Sequence, residues 1–360
     1  MSRRTILALS GATLLIGGCA LVFCYGPLKA WYVVSALKRS DDATRELWVS
    51  RAVALGQPAV GHLLGGLQGP GGDACAEALH LLAARWGASD ERTLALVART
   101  LALCNNLNAE GQGRALALLA ACSECLDDQG RTGGLRLLEG ACGQGAEALP
   151  GALALASRLL GVTDGVAPIA GRLARAALAS DNEEAVVQAI AVCVHPEVGL
   201  LEEAARLMKS GPPRVRQAAV LAAGTVDGVR EDALLACLHD EDAEVKRLAR
   251  EALLARGLRP EQVELGRLLT HPRSLSRVEV LDRMREVGDV DPVTWVARLT
   301  RDPSAAVRTA AARAICERLF SDLSERLEEM GRSDPSPTVA LLARYYHSLR
   351  AEAIPAGGRR

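Results

Sequence analysis

The chain has 360 residues, of which 49% are hydrophobic but only 3% aromatic, and its formal net charge is −1. Apolar content carried by Ala and Leu argues for helices over large sheets, and a mean hydropathy of +0.12 excludes a disordered chain. The near-neutral balance removes bulk attraction to nucleic acid, so none is expected as a partner.

In chain order, Arg3 and Arg4 form a short N-terminal tail (residues 1–4), followed by Thr5–Tyr25, 21 residues without a charge. As a helix that stretch measures about 31 Å, close to the hydrocarbon thickness of a bilayer. It is read as a single transmembrane signal-anchor helix over 5–25, with Tyr25, Trp31 and Tyr32 at headgroup level. Pro27 is expected to end or bend it, and residues 26–40, with Lys29, Lys38 and Arg39, form a juxtamembrane linker. Two other readings stay open. Ile16-Gly17-Gly18-Cys19 resembles a lipobox, which makes Cys19 a lipidation site, although the apolar run continues through Ala20–Cys24. The segment also has the length of a buried helix of the folded body. Arg3 and Arg4 favour an N-terminus left in the cytoplasm and export of the bulk, while Lys29, Lys38 and Arg39 oppose it. The default is a single-pass protein with its folded part extracytoplasmic.

Beyond residue 40 the chain repeats. A turn, then Val, often a base, then an apolar run recurs around Val215-Arg216, Val245-Lys246, Val307-Arg308 and Val339, with degenerate copies at Val186 and Ser276. Successive spacings are 29, 30, 31, 31 and 32 residues. A period near 30 holds two short helices and two turns. Val307, Ala310, Ala311, Ala314 and Ile315 make a helical stripe, small enough for close approach of a neighbour. Asp302-Pro303 reads as a helix start, Asp302 capping and Pro303 in the first helical position. Residues 180–354 carry the clear copies and 41–179 degenerate ones. The Gly-rich stretch 105–180, with Gly130-Arg131-Thr132-Gly133-Gly134, reads as helical pairs joined by irregular turns, and a domain break near 130 or 180 stays open. Residues 355–360 form a disordered tail.

Asp302-Pro303, Val307-Arg308 and the alanines after them, echoed at Val215-Arg216 and Val245-Lys246, resemble the HEAT repeat in its short bacterial form, shared with the phycobilisome bilin lyases. The resemblance implies an all-α, armadillo-like α-solenoid of helical hairpins; with the transmembrane helix read ahead of it, the location expected is a bacterial inner membrane. It also implies a ladder in which turn acid and post-Val base tie units together, involving Asp242 with Lys246 and Asp302 with Arg308. The unit of Val215 and Arg216 has Gly211-Pro212-Pro213 in place of the acid, and the Asp334 unit has Ala340 in place of the base.

Sites for chemistry are scarce. Cys122 and Cys125 form a C-x-x-C without a second pair, and zinc needs about four ligands. The other cysteines read as small buried hydrophobes. The six histidines lie far apart in sequence, and there is no H-E-x-x-H, phosphate loop or G-x-S-x-G. No catalytic residue, cofactor or metal is expected. A stripe of Arg214, Arg216, Arg283, Arg285 and Arg308 is read as pairing with nearby acids. The functional expectation is a non-catalytic, membrane-tethered scaffold or adaptor that binds protein partners on its repeat surface. The alternatives are a bilin-lyase-like protein acting on a chromophore and a solenoid lipoprotein lipidated at Cys19.

Overall fold

A computed structural model describes residues 26–143, 145–225, 231–284, 286–287, 291–317 and 320–353. The anchor Thr5–Tyr25, with Cys19, lies outside them, as do residue 354 and the tail 355–360. Among the described residues the secondary structure is entirely helical, without a strand, and no helix is long and apolar enough to cross a membrane.

The described part of the first helix covers residues 26–37 (α1) and includes Pro27. α1 is docked on the body through buried Ala30, Val33, Val34 and Leu37. Its end presses on Gly71, whose φ of +75° suits glycine and where an added Cβ would stand 2.6 Å from the Cα of Lys38.

The chain divides into two compact units, up to Ala204 and from Ala205. The first continues with α2 (Asp42–Leu55), α3 (Gln57–Leu64), α4 (Gly72–Trp86), α5 (Glu91–Cys104), α6 (Ala109–Ala121), α7 (Asp128–Ala141), α8 (Leu149–Leu159), α9 (Val166–Leu178) and α10 (Glu183–Cys193). Polar turn residues start many of them. The side chains of Asp41, Asn108, Asp127 and Asn182 accept from the N–H three residues on, satisfying donors that the first turn leaves open. Packing skips by two: α2, α4, α6, α8 and α10 stack in one row, α3, α5, α7 and α9 in another, and sequential neighbours join the rows. Leu116 and Leu119 of α6 and Leu153 and Leu155 of α8 are fully buried, each contributing roughly 1.5–3 kcal/mol relative to exposure.

The glycines of 105–180 divide between turns, where Gly161 and Gly165 take positive φ, and helix interiors. Gly130, Gly133 and Gly134 lie within α7, where Asp127 caps Gly130 N–H and Gly134 sits under Leu159 and Leu155. Gly113 of α6 and Gly151 of α8 let two backbones touch, since a Cβ on Gly151 would fall 1.8 Å from the Gly113 carbonyl oxygen.

The second unit holds α12 (Pro213–Gly224), α13 (Glu231–Cys237), α14 (Ala243–Ala255), α15 (Pro260–Leu269), α16 (Ser274–Arg283), α17 (Pro292–Leu299), α18 (Ala305–Glu317), α19 (Ser324–Ser333) and α20 (Pro337–Ala353); α11 (Leu201–Arg206) precedes it. In its even row α12 packs on α14, α16 on α18 and α18 on α20, whereas α14 and α16 are not in close contact. The aligned valines Val215, Val245, Val307 and Val339 are all buried. Around α18, Val280, Leu299, Val307, Ala311, Ile315, Leu327 and Val339 form one core.

Candidate functional site

A single turn design recurs along the even row of the second unit. Asp302 Oδ1 accepts from Ser304 N–H at 2.7 Å, and α18 begins at Ala305, two residues later than an Asp302 cap would start it. Pro303 therefore lies in the turn and not in the helix. Asp334 Oδ1 holds Ser336 N–H at 2.8 Å in the same way, and Asp240 Oδ1 holds Asp242 N–H at 2.8 Å.

Each of these acids also takes a bidentate arginine from the preceding repeat. Arg216 Nε and Nη2 donate to Asp240 at 2.8 and 2.7 Å, Arg277 to Asp302 at 2.7 and 2.9 Å, and Arg308 to Asp334 at 2.9 Å through both nitrogens. The third nitrogen of each arginine donates to carbonyls of its own turn: Gly211 for Arg216, His271 and Pro272 for Arg277, Asp302 and Pro303 for Arg308. One guanidinium thus clamps two successive turns, with the planar fork geometry that favours Arg over Lys. The Arg308 guanidinium holds the Asp334 carboxyl below the usual carboxylate range. Burial works to raise that of Asp240, but the hydrogen bonds from Arg216 and Asp242 outweigh it and the net shift is downward.

The partners differ from those the resemblance implies. Asp302 and Arg308 meet only through the Asp302 backbone carbonyl. Asp242 caps α14 through Val245 N–H at 2.9 Å and accepts from Gln217 at 3.0 Å, and it forms no ion pair with Lys246 among the described residues. The reason is register. The ladder acid stands five residues ahead of the valine (Asp240, Asp302, Asp334), whereas Asp242 stands three ahead, at the position of Ser304 and Ser336.

By that register Lys246 and His271 occupy the rung between α14 and α16, and the rung is missing. His271 Nδ1 still accepts from Arg273 N–H at 3.0 Å, an imidazole nitrogen taking over the turn role of the acid. Its ring meets that of His239 edge-on, centroids 5.2 Å apart. His239 Nε2 lies 2.8 Å from the Arg267 carbonyl and 3.2 Å from Thr270 Oγ1, which makes it the protonated nitrogen. Burial lowers the pKa of His239 below its ordinary value. The lapse in packing and the lapse in the ladder coincide.

The chemical candidates do not assemble. Cys122 is buried at the end of α6, its thiol pushed up to about 11 by burial and by Cys125, and no cysteine pairs among the described residues. No cluster of His, Cys, Asp or Glu able to hold a metal occurs among them. Of the arginine stripe, Arg216 and Arg308 are ladder clamps and Arg283 pairs with Glu286, while Arg285 lies outside the described residues.

What the even row offers is surface. Leu221 on α12, Leu275 on α16, and Leu341, Tyr345 and Leu349 on α20 are the large exposed apolar side chains of the second unit among the described residues. All of them lie on this row, and α13, α15, α17 and α19 carry none. Arg247 and Arg313 stand among them on α14 and α18, paired with glutamates of their own helices. The chain matches none of the protein-family models, and none of the curated proteins, with which it was compared.

Proposed function

We propose that the chain is a membrane-tethered α-solenoid of HEAT-like repeats, a non-catalytic scaffold that binds a protein partner along the even helix row of its second unit. Thr5–Tyr25 supplies the tether. The observation that carries the reading is the one-sided placement of Leu221, Leu275, Leu341 and Tyr345. Close-packed neighbours lie about 8–10 Å apart, so the run from α16 to α20 alone has a reach of roughly 16–20 Å, with α12 and α14 forming a second packed pair. That reach suits an extended or helical segment touched at several points. Each leucine covered by a partner is worth roughly 1.5–3 kcal/mol before the costs of association. The arginine clamps join successive turns within that row.

The test compares the full chain with a Leu275→Arg/Leu341→Arg variant, both solubilised from native membranes under the same mild detergent. Both side chains are exposed, so the fold is retained. The expected result is a stoichiometric protein partner with the parent chain and its loss with the variant. Equal recovery, or no partner with either, refutes the proposal.

A further inference from the structure

We infer that the outer stripe of α1 is a bilayer-contact face, seated in the phospholipid headgroup layer where the chain leaves the membrane. The inference rests on the tether reading of Thr5–Tyr25, which expects Trp31 and Tyr32 at headgroup level, and adds the face of a docked helix that carries them. On α1 the buried residues Ala30, Val33, Val34 and Leu37 form one face. Leu28, Trp31 and Tyr32, exposed to 62%, 58% and 61%, form the opposite one. Farther along the same stripe comes Ser35, and exposed Arg39 lies in the turn just past α1. The polarity thus runs from apolar, through amphipathic aromatics, to charged with distance from Tyr25. From Leu28 to Tyr32 the helix rises about 6 Å, which fits the roughly 5–7 Å of headgroup region per leaflet, and exposed Arg39 follows beyond the helix end.

The aromatic layer is two residues deep. The Tyr32 ring meets Trp48 of α2 edge-on at 6.2 Å, and the Arg51 guanidinium lies 4.6 Å over the Trp48 ring. Leu47 of α2 is exposed beside them. Trp and Tyr bury an apolar ring while keeping an N–H or O–H wet, the combination for which the headgroup layer is the best solvent. A protein partner is the weaker occupant, because the 21-residue uncharged stretch ends at Tyr25, three residues ahead of Leu28. Since α1 is docked through four buried side chains, contact at this stripe would hold the first unit at the bilayer, not on a loose leash.

The test uses the full chain in phosphatidylcholine vesicles whose acyl chains carry bromine either near the glycerol or at mid-chain. Subtracting the emission of Trp31→Phe from that of the parent isolates Trp31, a surface residue whose replacement leaves the fold intact. The expected result is that vesicle flotation retains the chain and the Trp31 signal loses most of its intensity to the shallow bromine, with a smaller loss to the deep one. A chain that floats with an unquenched Trp31, or with one quenched more by the deep bromine, overturns the contact face while leaving the tether standing. A chain that does not float overturns the tether and the face with it.

Discussion

Replacing Arg308 by Met keeps the length of the stem and removes the guanidinium, which isolates the ladder's contribution. The side chains of Arg308 and Asp334 are 9% and 3% exposed. Two charge-assisted bonds at 2.9 Å join them, and Arg308 Nη1 satisfies the Asp302 and Pro303 carbonyls at 2.8 and 3.1 Å. Removing one partner of such a buried pair leaves a carboxylate without its counter-charge, at a cost of about 3–5 kcal/mol. Adding Asp334→Asn should recover part of that loss, because no buried charge then stands alone, with a coupling on the order of 1–3 kcal/mol. Amide hydrogen exchange of the full chain reads this locally. Protection across α18–α20 should fall by roughly a thousandfold in Arg308→Met, each 1.4 kcal/mol being tenfold. Arg313→Ala, which breaks an exposed pair with Glu317, should leave the same amides unchanged. A loss below about 1 kcal/mol in Arg308→Met, or strict additivity with Asp334→Asn, would refute the clamp.

Restoring the missing rung with Lys246→Arg/His271→Asp should stabilise the second unit by about 1 kcal/mol, seen as a rise of roughly 2–4 °C in its melting temperature; no rise would show that the α14–α16 gap has another origin. Because burial holds the pKa of His239 below the ordinary 6.5, its contribution to stability is complete above that value and declines as pH falls through 6.5 towards the lower folded pKa. Urea midpoints measured across this range should therefore fall with pH in the parent and less so in His239→Gln. The Asp334 contribution should persist to lower pH, disappearing only as pH drops through its depressed folded value. Gly151→Ala should destabilise by about 1–3 kcal/mol, since a backbone carbonyl occupies the space, whereas Gly140→Ala in α7, with nothing within 4 Å, should gain about 0.5–1 kcal/mol. Thermal melts of the two variants moving in the same direction would contradict the close α6–α8 crossing.

Much of the helical architecture is readable from the chain because the period is carried by buried side chains. Val215, Val245, Val307 and Val339 each sit in the core, so their spacing reports packing directly. The turns mislead for an identifiable reason. Asp302-Pro303 has the composition of a helix start, but its carboxylate is taken by Arg277 and by Ser304 N–H, and the helix begins later. The ladder partners become legible only when acids are counted from the valine, which separates Asp240 from its neighbour Asp242. Gly130, Gly133 and Gly134 resemble loop residues until the helices crossing them are known; their role is tertiary, and local propensity does not encode it. The His239–His271 contact was hidden by its sequence separation, although one repeat length between the two histidines is the signal that they stack. The exposed row was likewise out of reach, because a leucine on a helix of unknown orientation does not announce which way it points.

The most direct test of partner binding on the even row is a photo-crosslinking amino acid placed at Leu275 in the full chain, in native membranes, beside a control at exposed Glu325 on α19. Binding along that row predicts a discrete protein adduct from position 275 and none from position 325. Adducts of equal yield from both positions, or none from 275, would contradict it.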